Sequence, residues 1–153
     1  MKKRTLAIFL ACTTTLAQAG PFTNLMGQLA GATGADESGR NLDQTLANVS
    51  SHLNRSAPMM LDADTRLDRV TSEPGRNLSY HYTLTSVQSK AFNRAEFQKL
   101  IREPLQEKLC VSPEMRGFLV RGVTISYNYL SSDGRRLGAA RFNASDCGLL
   151  KVS

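Results

Sequence analysis

Cys110 and Cys147, 37 positions apart, are the side chains of this sequence most able to make or break a covalent bond. In an oxidising compartment an even pair of this kind forms a disulfide, and one is expected here. Closing such a loop stabilises a fold by about 4 kcal/mol in the chain-entropy model. A metal site or a nucleophilic thiol are the alternatives. A metal site needs further ligands at suitable spacing, and the chain offers only His52 and His81 as imidazoles. Neither a metal nor a cofactor is expected.

A hydrolytic centre needs a nucleophile, a base to activate it and a group to orient that base. His52 falls off the apolar stripe of its helix, and His81 falls on the outward phase of its strand. No Gly-x-Ser-x-Gly elbow occurs. Asp62, Asp64 and Asp68 look like part of a calcium loop, yet Thr65-Arg66-Leu67 supplies neither the turn glycine nor the closing Glu. Asp64 and Arg66 read instead as charges that discourage strand-edge pairing. Gly27, Gly31 and Gly34 lack the strand before and the Gly-Lys-Ser/Thr after that a phosphate loop requires. An enzyme is not expected.

The four tyrosines form a sharper pattern. Tyr80 and Tyr82 share one phase of one strand, and Tyr127 and Tyr129 share the same phase of another. If those strands are neighbours, four rings line one sheet face. They could form core, with hydroxyls reaching the rim. They could instead line a groove under the helices that accepts a small molecule, a lipid or an extended peptide. Tyr80, Tyr82, Tyr127 and Tyr129 are the candidate ligand or partner face.

Location is written at the N-terminus. Lys2-Lys3-Arg4, the apolar run Leu6–Ala11 and the small residues of Ala17-Gln18-Ala19 make a secretory signal peptide over residues 1–19. The run is too short to span a bilayer as a helix. Phe9-Leu10-Ala11-Cys12 supports the alternative of a lipoprotein anchored through Cys12, although Phe9 stands where Leu is usual. Export to the periplasm or beyond follows from either. Removing three positive residues leaves sixteen Lys and Arg against thirteen Asp and Glu, net +3 rather than +6. That weakens the case for nucleic acid, which calls for a clustered basic face. The charge is uneven, with residues 20–85 net −2 and residues 86–153 net +5. Ordinary solvated surface is one reading, and a cationic face making weak contact with an anionic surface is the other.

These side chains must be held by regular elements. Residues 20–40, rich in glycine from Gly27 onward, read as a flexible leader, and residues 41–153 as one domain. Leu42, Leu46, Val49 and Leu53 stack on one face of a helix over 42–54, with Asn41 as N-cap and Asp43 in its first turn. Residues 64–73, the turn Glu73–Asn77 and the alternating Leu78–Leu84 predict a hairpin. Asn93 and Glu96 form a capping-box pair ahead of the stripe Phe97, Leu100, Ile101, Leu105 and Leu109, with Pro104 expected to kink or split that helix. Ser112-Pro113 starts a short helix to about Leu119. Val123–Leu130, the turn Ser131-Ser132-Asp133-Gly134 and Leu137–Asn143 predict a second hairpin. The sum is an α+β domain: a four-stranded antiparallel sheet of two hairpins with helices packed on one face.

Leu53-Asn54-Arg55, Pro58, Asp64–Leu67, Tyr80–Leu84, Cys110, Met115-Arg116, Gly122-Val123, Tyr127, Asp133-Gly134 and Asp146-Cys147 together resemble a family of small exported proteobacterial proteins, one branch of which is labelled a quorum-sensing-regulated secreted virulence factor. The resemblance covers about residues 48–148. It implies an α+β fold, export and a Cys–Cys bridge, and it carries over no catalytic residue. The expectation is a non-enzymatic exported protein that binds another protein, with a virulence-associated role implied. The alternative is a small-molecule or lipid-binding domain using the tyrosine face.

Overall fold

The computed structural model describes residues 39–150. The expected signal peptide, Cys12 and most of the expected leader lie outside those residues. The first helix, α1 (Gly39–Asn54), starts at Gly39, so Arg40 belongs to it and not to a leader, and Asn41 lies inside the helix rather than capping it. Its stripe is as spaced in the sequence: Leu42, Leu46, Val49 and Leu53 are all buried. Asp43 serves another element. Its two carboxylate oxygens accept from the backbone N–H groups of Gly75 (3.2 Å) and Arg76 (2.8 Å). Both residues have positive φ, so the carboxylate steadies a turn that only an unusual backbone can make.

Five strands follow in a sheet whose spatial order is the chain order: β1 (Met59–Met60), β2 (Thr65–Glu73), β3 (Asn77–Leu84), β4 (Thr124–Ser131) and β5 (Arg136–Phe142). The two expected hairpins are β2–β3 and β4–β5, both antiparallel. The sheet is nevertheless mixed, because β3 and β4 run parallel, with Tyr80 opposite Tyr127 and Tyr82 opposite Tyr129. The all-antiparallel expectation is corrected here, and the reason is the connection. Two helices, α2 (Arg94–Val111) and α3 (Pro113–Val120), carry the chain back to the end of the sheet where β3 began, and a crossover of that kind produces parallel neighbours. β1 is too short to leave a period-two signature, so the sequence reading missed it.

Helix α2 begins with the expected capping box, Asn93 accepting from the Glu96 N–H (2.9 Å) and Glu96 accepting from the Asn93 N–H (3.4 Å). Pro104 does not divide it. The Leu100 carbonyl that proline deprives of a donor belongs to a residue on the exposed side, where water can reach it. Leu100 itself is 60% exposed, so the stripe runs without it, with Phe97 and Leu109 buried and Ile101 and Leu105 partly buried.

The three helices among the described residues share one core with the inner sheet face, where Leu67, Val70, Leu78, Ile125 and Phe142 meet Leu46, Leu109, Phe118 and Leu119. Side chains from these helices also close the sheet edges. Asn54 donates to the Val70 carbonyl and accepts from its N–H, both at 2.7 Å, imitating a neighbouring strand beside β2. Gln98 and Arg102 donate to the carbonyls of Ala139 and Arg141 along β5. Among the described residues no helix covers the outer face of the sheet, and none is long and apolar enough to cross a membrane.

Candidate functional site

The structure brings the four tyrosines together. Across the parallel β3–β4 pair, Tyr80 stacks on Tyr127 with ring centroids 5.5 Å apart, and Tyr82 on Tyr129 at 5.2 Å. The diagonal Tyr82–Tyr127 contact, 6.2 Å, joins the pairs into one column. Phe97 closes one end edge-on against Tyr129, and Phe142 stands edge-on to Tyr127. Tyr80 is 1% exposed and Tyr82 7%, so aromatic neighbours and the helices fill the space a groove would need. Burial raises the pKa of all four, and Tyr129, the least enclosed of them, is pushed up to about 12.

Cys110, at the end of α2, and Cys147, in the 3-10 turn Ala144–Cys147, are bonded to one another with Cα atoms 5.3 Å apart. Other ties run beside them. Arg102 pairs with Asp146 at 2.8 Å, and Gln106 donates to the Asp146 carbonyl at 2.6 Å.

The remaining candidates separate. His52 is paired with the Arg55 guanidinium off the α1 stripe. Asp62 accepts from the N–H groups of Asp64 and Thr65, bonds that lead into β2 and hold its carboxyl below the usual carboxylate range, the Asp64 bond most strongly. Asp68 sits in a bulge of β2 and turns to the outer face, bonding the Arg66 Nε and the Thr83 hydroxyl, both at 2.6 Å. Among the described residues no three His, Cys, Asp or Glu side chains stand as a metal cluster.

What the sequence reading missed is a cleft at one corner of the sheet. Asp133, in the β4–β5 turn, accepts from the Ser89 N–H (3.0 Å) and hydroxyl (2.7 Å), and Ser132 donates twice to the Val87 carbonyl. These bonds fasten the turn to the segment that leaves β3, and the hydroxyls of Ser131 and Ser89 hold the Asp133 carboxyl far below its usual range. A cleft of about 620 Å³ opens between the two segments, lined by Ser89, Lys90, Phe92, Arg94, Arg135, Arg136 and Leu137. Four of those seven are cationic and none is acidic; Asp133, 3.8 Å from Arg135, stands at its rim. Phe92 is 38% exposed and leans on Phe97, giving the cleft a small apolar shelf. Arg136 also lines a second depression of about 250 Å³ on the outer sheet face, with Asp68, Arg69, His81, Asn128, Tyr129 and Leu130. The signals were present: the positive excess of residues 86–153, and Arg135-Arg136 directly after an Asp-Gly turn. Only the fold shows that Lys90 and Arg94 join them.

A family model for a domain of unknown function, DUF8479, matches residues 41–138. The chain belongs to this family. The DUF8479 match takes in the tyrosine column and every residue lining the corner cleft, while Cys147 falls beyond it. No curated protein matches the chain in sequence. Among solved structures the fold is similar to that of a protein from Pseudomonas aeruginosa named as a secreted protein, at 22% identity and a TM-score of 0.62, over 74% of this chain and 99% of that one. It is also similar to EpsS, a pilotin of the type 2 secretion system of Vibrio vulnificus, at 17% identity and a TM-score of 0.57, over 71% of this chain and 93% of that one. AspS, a type II secretion system pilotin from Vibrio cholerae, aligns at 16% identity and a TM-score of 0.53, over 71% of this chain and 94% of that one. At these identities the likeness is one of fold, and it places this DUF8479 domain among α+β units of about the same extent.

Proposed function

We propose that the chain is an exported, non-enzymatic interaction protein that engages another protein in the cell envelope, in the manner of a pilotin. The observation that carries this reading is the fold shared with EpsS and AspS over nearly the whole of those chains and most of this one. The charged start, apolar run and Ala17-Gln18-Ala19 site support export, and a Cys110–Cys147 bridge suits an oxidising compartment. A virulence-associated role enters through the sequence resemblance alone. The alternative of a small-molecule or lipid site on the tyrosine face gains no support from rings that already pack against one another and against Phe97 and Phe142.

The test is photo-crosslinking in the producing cell, with a photoreactive residue placed in turn at Lys90, at Leu100 on α2 and at Asn128 on the outer sheet face. The expected result is a discrete adduct with one exported protein from at least one site. Adducts with lipid alone, or none from any site, would overturn the reading. Intact mass of the same recovered chain distinguishes cleavage after Ala19 from lipidation at Cys12.

A further inference from the structure

We infer that the corner cleft and the outer-face depression form one track, and that its occupant is an acidic, extended peptide segment of the partner protein. This rests on the proposed function above and names the chemistry its partner presents. Three observations carry it. The first is charge: Lys90, Arg94, Arg135 and Arg136 come from two segments distant in sequence and meet in one concavity with no acidic residue in its lining. Like charges gathered in this way repel each other and favour an anionic ligand. Asp133 answers only part of this, because its carboxylate is already engaged by Ser89 and lies at the rim.

The second observation is continuity. Arg136 lines both depressions, and in the second Arg69 adds a further guanidinium beside Asp68, whose carboxylate is already engaged by the Arg66 Nε and the Thr83 hydroxyl. A compact anion could occupy one depression; a ligand that uses both must be elongated. The third is the neutral lining. Asn128 offers a carboxamide that can donate and accept, as peptide backbone requires, and Phe92 and Leu137 offer apolar surface beside the cations. A flat lipid surface could meet the exposed guanidinium groups, but a concavity and a carboxamide-bearing depression suit a single chain better than a bilayer.

The experiment is fluorescence anisotropy with the full chain recovered from the producing cell. The probes are a labelled peptide of alternating Glu and Phe, the same peptide with Gln for Glu, and phosphatidylglycerol vesicles. The acidic peptide is expected to bind, to weaken as salt is added, and to lose about tenfold in affinity when Gln replaces Glu. Arg136→Ala should lose about tenfold, the size of one charge-assisted contact, and more than Arg135→Ala, which touches one depression only. Arg116→Ala, on α3 and outside both depressions, should leave binding unchanged. Circular dichroism of each variant confirms that the fold persists. Equal binding of the two peptides, equal losses from Arg136→Ala and Arg116→Ala, or binding confined to vesicles would overturn the inference. A protein adduct in cells with no acidic-peptide binding would sink this inference and leave the proposed function standing. Peptide binding with no protein adduct from any site would sink the proposed function on which it rests.

Discussion

Along β3 and β4 the same strands supply two surfaces of opposite character. Tyr80, Tyr82, Tyr127 and Tyr129 point under the helices and stack into a closed column, whereas the residues between them, His81 and Asn128, point outward beside Arg69 and Arg136. The aromatic side is mutually packed against the helical layer, with Tyr80 and Tyr82 buried and Tyr127 and Tyr129 partly buried. The cationic side is open and is reinforced at its corner by Lys90, Arg94 and Arg135, which arrive from outside these strands. An unusual cluster of side chains in a sequence thus has two different meanings. Aromatic residues in equal phase on neighbouring strands satisfy each other, and their regularity marks the core. Cations that converge from separate segments do not satisfy each other, and their convergence marks a surface kept for something else.

The sharpest way to break this comparison is to truncate the column. Tyr80→Ala removes a fully buried ring between Tyr82 and Tyr127 and should cost about 3–5 kcal/mol, read by urea unfolding. A cost near zero would mean that the column is a groove and not the core. Spectrophotometric titration probes the same burial without mutation. Free tyrosine is half ionised near pH 10, but in the folded chain burial delays all four, with Tyr129 expected at about 12. Because these folded values are raised, the tyrosines' contribution to stability is complete below pH 10 and is lost as pH rises toward the folded values. Tyrosinate absorbance growing at pH 10 in the native chain would contradict the burial described here.

How much of this was legible follows from the same distinction. The α1 stripe, the Asn93–Glu96 box and both hairpins were readable because periodicity and capping act within a few residues. The parallel β3–β4 pairing was not, since it depends on where two helices deliver the chain and not on any residue in either strand. The phase that put Tyr80 and Tyr127 on one face was visible, but whether rings fill a face or line a groove depends on Phe97 and the helices above. Asp43 looked like a helix-terminus acid and turned out to hold the Gly75-Arg76 turn, a contact 32 positions away that no local rule contains. The corner cleft was hidden for the same reason: Lys90 and Arg135 are brought together by bonds between distant segments, Asp133 to Ser89 and Ser132 to Val87.

Reduction of Cys110–Cys147 should sharpen the comparison by separating stability from recognition. Opening the bridge is expected to lower stability by about 2–4 kcal/mol, measured as a shift in the urea midpoint with and without reductant. Arg102–Asp146 and Gln106 still tie the 3-10 turn to α2, so the tail should stay docked under native conditions. Affinity for the acidic peptide should be unchanged, because neither cysteine lines the cleft or the outer depression. Loss of binding on reduction, with the fold intact, would show that the two sides are coupled after all.

The smallest expected effect concerns the outer face alone. His81 sits beside Thr71, whose hydroxyl is 3.0 Å from its Nε2, and faces Arg69, Asp68 and Glu73, with Arg136 lining the same depression. Burial chiefly, and then the Arg69 charge, lower its pKa below the ordinary 6.5, outweighing the opposite pull of Asp68 and Glu73. The unfolded chain therefore takes up this proton first as pH falls. Stability from His81 is complete above pH 6.5 and is lost as pH drops through the lower folded value. His81→Gln should flatten that part of the stability profile and leave the tyrosine titration untouched, since the two side chains lie on opposite faces of β3. Unfolding midpoints of both proteins, taken on either side of pH 6.5, give the difference directly. An identical slope in the variant would mean that the outer depression does not disfavour the imidazolium, and that the cationic side is better hydrated than the surrounding arginines imply.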